Sequence, residues 1–392
     1  MFHSLLLLQL LNSFKLSEVV MKILLKSVSW FFSVIFLLLG LMIIGMGSFF
    51  QALFVFGIAL ILVPCFREFI HKKLSRKIPW WIYTILGIVL WCSMILSMLL
   101  NPIESIYKSD KYRQQLQEIY DEKLTEWPTK YEEIYVSTKY GKVHVIVSGP
   151  EDGFPVLLCN ASALAGWSWL HNVGELNKKY RTYAVDNIGE GGKNKEIGYG
   201  YIPQNGKEVA DFYIDITEKL GFSKSHVIGA SIGGFISTNY ALFAPERVDK
   251  LVLLGSMGYG FTKKTILLMT LAQGFPYKFI QDATFKWAFG DDAELNRAYG
   301  KWFRIYMKGL SPSPIYPKTF SAEELKKIQV PTLAYFGTKD GVVGNVKNAK
   351  TRAENIPDIQ IEVVETGHVM GIEIDDQINK EIMEFFEDKQ LD

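Results

Sequence analysis

The pentapeptide Gly229-Ala230-Ser231-Ile232-Gly233 follows the apolar run His226-Val227-Ile228 and precedes a helix-like run that extends to Phe243. A strand that enters a tight turn and leaves as a helix places the turn residue in a strained, exposed position. Glycine is needed on both sides, because a Cβ there would collide with the neighbouring strand and helix. The free N–H groups of the helix N-terminus favour a developing negative charge above the turn. The pattern therefore predicts that Ser231 is a nucleophile.

Strand-like apolar runs alternate with helical patterns on both sides of this turn. The runs that predict strands are Pro155–Cys159, Thr182–Asp186, His226–Gly229, Leu251–Gly255, Thr332–Phe336 and Ile359–Val364. An earlier hairpin is predicted around Lys139-Tyr140-Gly141, and Glu208–Leu220 reads as an amphipathic helix. Such alternation predicts an α/β fold with a mostly parallel, doubly wound sheet covered by helices.

The segment between Ser256 and about Phe320 interrupts the alternation, because it is rich in aromatic residues and contains no strand-like run. It predicts several short helices that form a cap. Two interpretations of its aromatic residues stay open: they form the core of the cap, or they line a binding surface for an apolar substrate.

A serine nucleophile needs a base, and the base needs a carboxylate to orient it. Among the six histidines, His368 directly follows the predicted strand Ile359–Val364, at the edge of the sheet where the nucleophile lies. Asp340 is the acid in the loop after Thr332–Phe336, and the order Ser231, Asp340, His368 is the one that this type of sheet requires. A turn-forming role before Gly341 is the alternative for the aspartate.

Two backbone N–H groups must stabilise the oxyanion. We predict that they belong to Ile232, directly after the nucleophile, and to Ser162 in the loop after Pro155–Cys159. The glycine-rich loop after Asp186 lacks the order of a phosphate-binding loop and is interpreted as a structural turn. His226 and Cys159 are also interpreted as structural, and no metal site and no cofactor are predicted.

Two long runs near the N-terminus, Ser27–Phe66 and Ile78–Leu100, contain no charged residue. As one helix the first run would extend about 60 Å, twice the roughly 30 Å hydrocarbon core of a bilayer, so it must cross twice. The break is expected at Gly45-Met46-Gly47-Ser48. The sequence thus predicts an integral membrane anchor of three transmembrane helices, over about 27–46, 49–66 and 78–100.

Basic residues predict the orientation of this anchor. The loop between the second and third spans is rich in them, whereas the turn between the first two has none; the loop contains Arg67, Lys72, Lys73, Arg76 and Lys77. Since positive charge stays on the cytoplasmic side, we expect a multi-pass cell-membrane protein whose catalytic domain is extracytoplasmic. Residues 1–20 are interpreted as a dispensable extension, with Met21 as an alternative start.

Composition excludes other classes. The net charge is +1, and no basic patch interleaves with aromatic residues, so no nucleic-acid partner is predicted. The three cysteines form no disulfide framework, and the sequence leaves the oligomeric state open. The predicted organisation comprises the extension (1–20), the membrane anchor (21–101) and four further segments: a connector helix (102–132), a first part of the core (133–257), the cap (258–320) and a second part of the core (321–392).

Over roughly residues 133–388 the chain resembles the α/β-hydrolase superfamily. The segments that match are Val156-Leu157-Leu158, Ala184-Val185-Asp186, Gly229–Gly234, Ala244–Val248, Phe336–Asp340 and Gly367-His368. The segments Trp127–Thr138 and Ser148-Gly149-Pro150 resemble bacterial carboxylesterase-like proteins. The resemblance implies the nucleophile Ser231, the acid Asp340 and the base His368. One departure is Asn160-Ala161, where the family usually has His-Gly, and it places the role of Ser162 in question.

These observations favour a serine hydrolase that cleaves carboxylic esters of apolar or lipid-like small molecules. Two alternatives remain: a peptidase or acyltransferase with the same triad, and a non-catalytic binding protein with a hydrolase-like domain. A peptidase of this fold would use cap acids to hold a substrate ammonium group, and the candidates are Asp282, Asp291, Asp292 and Glu294. Comparing the turnover of peptide amides with that of esters distinguishes a peptidase or acyltransferase from the esterase. Failure of Ser231 to react with a fluorophosphonate would favour the binding protein.

Overall fold

The computed structural model describes residues 20, 23, 26–41, 43, 49–75, 78–100, 105–195, 202–260, 263–275, 277–291, 293–311, 315 and 317–388. The chain divides into two compact units, Met1–Pro102 and Ile103–Asp392. The division follows the composition, because the first unit contains both charge-free runs and the second contains the alternating strands and helices.

The described part of the N-terminal unit is helical. Its helices are α1 (Lys26–Leu41), α2 (Phe49–Leu62), α3 (Pro64–Lys73) and α4 (Trp80–Leu100). The hydroxyl of Ser33 on α1 donates to the carbonyl oxygen of Ala59 on α2 at 2.9 Å. Lys26 pairs with Glu68 at 3.0 Å, which brings the start of α1 beside α3. Large apolar side chains are exposed on these helices, among them Phe31.

The helix predicted over 49–66 ends early, at Leu62, and α3 begins at Pro64. Proline has no N–H to continue the helix, and its ring clashes with the preceding turn. Within the described residues no single helix combines the length and apolarity of a membrane span, although Ala52–Leu62 and Pro64–Lys73, bent by 76°, do so as a pair. Three single-helix spans are therefore not supported. The break predicted at residues 45–48 and most of the predicted extension lie outside the described residues.

The first described helix of the second unit is α5 (Asp110–Leu124), the helix predicted in the connector. Its buried residues recur at helical spacing and are Leu116, Ile119, Tyr120 and Leu124. The helix packs this face into the core of the second unit, so the connector is an integral layer of the domain.

The described residues form one eight-stranded sheet in the order β1-β2-β4-β3-β5-β6-β7-β8. Its strands are β1 (Tyr131–Thr138), β2 (Gly141–Ser148), β3 (Phe154–Cys159), β4 (Tyr180–Val185), β5 (Ser225–Ala230), β6 (Val248–Leu254), β7 (Thr332–Gly337) and β8 (Ile359–Val364). The first two form the predicted hairpin, and β2 pairs with β4 antiparallel, whereas all other pairings are parallel. The prediction of a mostly parallel sheet is confirmed.

Helices connect the strands and cover both faces of the sheet, as the burial of nearly every residue of β3, β5, β6 and β7 requires. They are α6 (Val173–Leu176), α7 (Gly206–Lys219), α8 (Ile232–Phe243), α9 (Lys263–Gly274), α10 (Lys278–Phe289), α11 (Ala293–Gly309), α12 (Ala322–Leu325), α13 (Val346–Ala353), α14 (Met370–Glu373) and α15 (Asp375–Glu387). A 3₁₀ helix covers Gly166–His171. Asn205 caps α7 by accepting the N–H of Glu208 at 3.0 Å.

The helices α9, α10 and α11 lie where the cap is predicted. Aromatic rings pack against one another between α10 and α11, with Phe285 and Phe289 stacked at 4.6 Å and both edge-on to Phe303. These residues are buried and form a local core for the segment.

Candidate active site

The turn between β5 and α8 places Ser231 in a conformation that most residues avoid, with φ of +54° and ψ of −115°. Its N–H donates to the carbonyl oxygen of Leu254 at 2.9 Å, and its own carbonyl accepts the N–H of Met257 at 3.0 Å. These bonds hold the strained residue in place. The predicted crowding at the flanking glycines is present: a Cβ at Gly229 would overlap Ser237 and Gly233.

The structure brings the three predicted side chains together, and all three are buried. The Nε2 atom of His368 lies 2.8 Å from Ser231 Oγ, and the Nδ1 atom lies 2.7 Å from Asp340 Oδ2. The other oxygen of Asp340 accepts the N–H groups of Val342 and Val343 at 2.8 and 2.9 Å. The aspartate therefore forms the turn and also faces the imidazole. In this arrangement the imidazole can take the hydroxyl proton while the carboxylate fixes its tautomer.

The loops after β7 and β8 support this geometry. The N–H of Thr338 donates to the carbonyl oxygen of Val364, and that of Lys339 donates to Thr366, both at 2.9 Å. The N–H of Gly367 donates to Glu373 Oε2 at 3.0 Å. These bonds connect the loop of Asp340 to the loop of His368 and fix the distance between the acid and the base.

The two residues predicted to stabilise an oxyanion lie in different environments. Ile232 is the first residue of α8, so its N–H has no intrahelical acceptor. Ser162 lies in the loop after β3, and its hydroxyl donates to Glu190 Oε2 at 2.7 Å. That hydrogen bond occupies the side chain, so only the backbone N–H of Ser162 could serve an oxyanion.

Asn160 stabilises the loop in the position where the resemblance expects histidine. It is fully buried, and its amide donates to the carbonyl oxygens of Ala161 and Leu164 at 3.0 and 2.9 Å. Asn187, in the loop after β4, donates to the carbonyl oxygen of Asn160 at 2.6 Å. The sequence singles out Asn160 as a departure from the family pattern, but it does not reveal the contact with Asn187, which lies two residues beyond the end of β4.

A small apolar pocket with a volume of about 40 Å³ opens beside the nucleophile. It is lined by Ala161, Leu164, Ser168, Trp169, Asn172, Ala230, Ser231, Leu254, His368, Val369, Gly371 and Ile372. None of the described cap residues lines it. Most of the described cap aromatics are buried and act as its core, whereas Tyr277 and Phe279 are 60% and 72% exposed, so burial does not assign every aromatic residue to the core.

Comparisons with known proteins agree with this architecture. The profile of the alpha/beta hydrolase fold matches residues 155–289. An uncharacterized carboxylesterase, nap, of Bacillus subtilis (strain 168) is 33% identical over 286 residues, which cover 68% of this chain and 90% of that protein. Carboxylesterase YbfK of the same strain is 31% identical over 280 residues, covering 68% and 91%. The crystal structure of naproxen esterase from Bacillus subtilis has a TM-score of 0.65 and 31% identity over 71% of this chain and 99% of that chain.

The chain belongs to the α/β-hydrolase family. It is a carboxylesterase-like enzyme of that family, because its similarity to these esterases extends over nearly their whole length.

In this α/β hydrolase, Asp186 has the structural role that the sequence predicts. The buried carboxylate accepts the N–H groups of Gly166 and Lys193, both at 2.8 Å. It also accepts the hydroxyl of Tyr120 at 3.1 Å and lies 3.0 Å from His144 Nδ1. The aspartate thus connects α5, β2 and two loops.

The hydrogen bonds of His144 change its titration. Burial lowers the pKa of this imidazole, but the hydrogen bonds and charges of Asp186 and Glu133 outweigh burial and raise the pKa above its usual value of 6.5. The hydrogen bond from His144, at 2.9 Å, lowers the pKa of Glu133 to about 2, with a further contribution from Lys193. The protonated imidazole can donate to both carboxylates.

The other residues considered for catalysis or binding in this α/β hydrolase, Cys159, His226 and the cap acids, lie in surroundings that favour structural roles. Burial raises the pKa of the Cys159 thiol to about 12 and lowers that of His226 to about 4, and the His226 ring stacks on Phe386 at 4.0 Å. Among the described residues, no group of three or more His, Cys, Asp or Glu could hold a metal ion. Two of the cap acids considered for an ammonium site, Asp282 and Asp291, pair with lysines on the cap, and Asp292 lies outside the described residues.

Proposed function

We propose that this enzyme is a membrane-anchored serine esterase that cleaves carboxylic esters of apolar or lipid-like substrates. The observation that carries the proposal is the chain of hydrogen-bond distances from Ser231 Oγ through His368 to Asp340, 2.8 and 2.7 Å. The names of the relatives, which are carboxylesterases, support the same reaction class.

The proposed reaction has two stages. Ser231 Oγ attacks the ester carbonyl while His368 Nε2 takes its proton, and Asp340 stabilises the imidazolium that results. The N–H groups of Ile232 and Ser162 stabilise the tetrahedral oxyanion. His368 then gives the proton to the leaving alkoxide, and an acyl-enzyme remains. Water, deprotonated by His368, attacks the acyl group and releases the carboxylic acid and free Ser231.

The lining of the pocket supports an apolar group next to the ester carbonyl. Most of its side chains are hydrocarbon, with Leu164, Leu254 and Ile372 among them, and its volume of about 40 Å³ suits a short group. An apolar group that enters such a pocket gains roughly 0.8 kcal/mol for each buried methylene.

The N-terminal unit is proposed to anchor the enzyme in the cell membrane. Exposed large apolar side chains on α1 and α4 support an apolar environment, as Phe31 is 63% and Ile88 is 56% exposed. The ion pair between Lys26 and Glu68 supports placing the start of α1 on the same side as the basic segment that contains Arg67. With that side cytoplasmic, three crossings by the apolar segments of α1, α2 and α4 would leave the catalytic unit outside.

An impermeant fluorophosphonate applied to intact cells tests the chemistry and the orientation together. The wild-type enzyme should be labelled without permeabilisation, and Ser231→Ala should be unlabelled in intact and lysed cells alike. Labelling only after lysis would reject the extracytoplasmic orientation and keep the esterase. Absence of labelling of the folded wild-type enzyme in lysed cells would reject the esterase and favour a binding protein.

A further inference from the structure

Glu190 is a buried acid between the cap and the loop predicted to stabilise the oxyanion. It is 1% exposed and lies in the glycine-rich loop after β4. Gly189 and Gly191, on either side of it, have φ of +81° and +95°, conformations that glycine adopts without strain. This backbone delivers the carboxyl group inward, toward the loop after β3.

One oxygen of Glu190 receives three donors. Its Oε2 atom accepts the hydroxyl of Ser162 at 2.7 Å, the N–H of Ala163 at 3.3 Å and the hydroxyl of Tyr306 at 2.7 Å. The Oε1 atom is buried and has no partner among the described residues. Within the described part of the chain, the hydrogen bonds of this side chain therefore serve two consecutive loop residues and one cap residue.

The loop needs this support because its backbone is strained. Ala163 has φ of +57°, which an L-residue with a Cβ adopts only when its surroundings impose it. The carbonyl oxygen of Ala163 accepts the indole N–H of Trp302 at 2.9 Å, from the same cap helix that carries Tyr306. The strained peptide is thus held by Glu190 on its N–H side and by α11 on its carbonyl side.

We infer that Glu190 is a positioning residue that fixes the loop of Ser162 for stabilisation of the oxyanion, with Tyr306 as its partner on the cap and Trp302 bonded to the same loop. The inference rests on the proposed function. Glu190 acts through the loop, because its hydrogen-bond partners among the residues that the structure describes lie on the loop or on the cap. Since the oxyanion exists only in the transition state, the support should affect kcat far more than KM.

The test compares Glu190→Ala, Glu190→Gln and wild type as full-length protein in detergent, with a p-nitrophenyl ester as substrate. A fluorophosphonate titration counts functional Ser231, so that kcat refers to folded sites only. Glu190→Ala should lower kcat about 100-fold, as displacement by about 1 Å does elsewhere, with KM changed less than threefold. Glu190→Gln should keep at least half of kcat, because its amide oxygen can accept the same three donors.

A trifluoromethyl ketone supplies a readout that a purely structural role would not change, because its adduct with serine carries an oxyanion. Its inhibition constant should rise with Glu190→Ala by the same factor by which kcat falls. Tyr306→Phe removes one donor and leaves the acid in place, so it should lower kcat about tenfold. This variant tests the inference if Glu190→Ala does not fold. Glu381→Ala is the matched control, because Glu381 also accepts a tyrosine hydroxyl, from Tyr335 at 2.6 Å, outside the site.

The inference is overturned if kcat per titrated site is unchanged in Glu190→Ala, or if Glu190→Gln is as impaired as Glu190→Ala. The control Glu381→Ala should keep the wild-type kcat, and an equal loss there would also overturn the specific role of Glu190. Full activity of Ser231→Ala would instead reject the proposed function, so the two failures are distinguishable.

Discussion

The carbonyl oxygen of Cys159 occupies the space that a Cβ on Gly233 would need. The carbonyl oxygen of Asn160 is also within 3 Å of that position, so the crowding comes from backbone and not from flexible side chains. The start of α8 therefore packs directly against the end of β3. This contact sets the separation between the N–H of Ile232 and the loop that contains Ser162.

Gly233→Ala should push α8 away from β3. We expect a loss of about 1–3 kcal/mol in the free energy of unfolding, as for other overpacked sites. We also expect a fall in kcat, because Ile232 moves with the helix. The matched control is Gly174→Ala, whose Cβ would meet only Pro128, at 3.6 Å. Thermal unfolding and ester hydrolysis of both variants measure the effect, and equal behaviour of the two would contradict it.

Asp340→Asn should lower kcat by about 10³- to 10⁴-fold without unfolding the enzyme. The amide oxygen can still accept the N–H groups of Val342 and Val343, so the turn persists. The amide nitrogen then faces His368 Nδ1 as a donor, which leaves the proton on Nε2 and prevents that atom from taking the proton of Ser231. Steady-state kinetics and the midpoint of thermal unfolding measure the two effects, and retention of a tenth of kcat would reject the role of the acid.

Ile372→Ala should shift the preference of the enzyme toward longer acyl groups. Ile372 lines the pocket beside Ser231, and its truncation lengthens the space available to the substrate. Each additional methylene that enters is worth about 0.8 kcal/mol, or roughly fourfold in kcat/KM. A series of p-nitrophenyl esters from acetate to octanoate measures the shift. An unchanged profile would show that the pocket does not receive the acyl group.

Replacement of His144 should change how stability depends on pH. The neighbouring carboxylates raise the pKa of the folded imidazole above 6.5, so its contribution is fully present below the unfolded pKa. The contribution is lost as pH rises through the higher folded pKa. The difference in thermal midpoint between wild type and His144→Gln should therefore be largest below pH 6.5 and narrow as the pH rises through the folded pKa.

The groups that face His144 set this window. They are Tyr120, Glu133, Tyr135 and Asp186, with Lys193 bound to Glu133. The pKa of Glu133 is about 2, so its carboxyl group stays ionised across this window and adds no pH dependence to the stability. A gap between the two proteins that stays constant or widens with pH would contradict a raised pKa.

The positions of Ser231 and His368 could be predicted because each follows a strand in the chain, and parallel strands bring their carboxyl ends to one edge. The alternation of apolar runs and helical patterns specified the sheet for the same reason. The glycines around Ser231 added a steric requirement that can be read without a structure.

Glu190 and Asn187 could not be found in this way. They lie in a loop without periodicity, and their roles depend on contacts with β3 and with α11, which are distant in sequence. The break at Pro64 was missed for a different reason. The prediction of one helix over 49–66 rested on hydrophobicity and gave too little weight to the missing N–H of the proline. The sequence did not show which aromatic residues of the cap are buried and which are exposed, because that depends on the residues they pack against.

Tyr120 and the other buried residues of α5 determine where the chain can be cut without loss of the core. The profile match begins at residue 155, but a fragment that starts there, or at the hairpin, would expose the surface that α5 covers and would lose the tyrosine bonded to Asp186. A cut between Pro102 and Ile103 would leave the whole second unit, whereas a cut after Leu124 would remove part of its core. The residues just before α5 belong to this unit as well, because Ile106 is buried in its core and the hydroxyl of Tyr107 donates to the carbonyl oxygen of Gly192 at 2.7 Å.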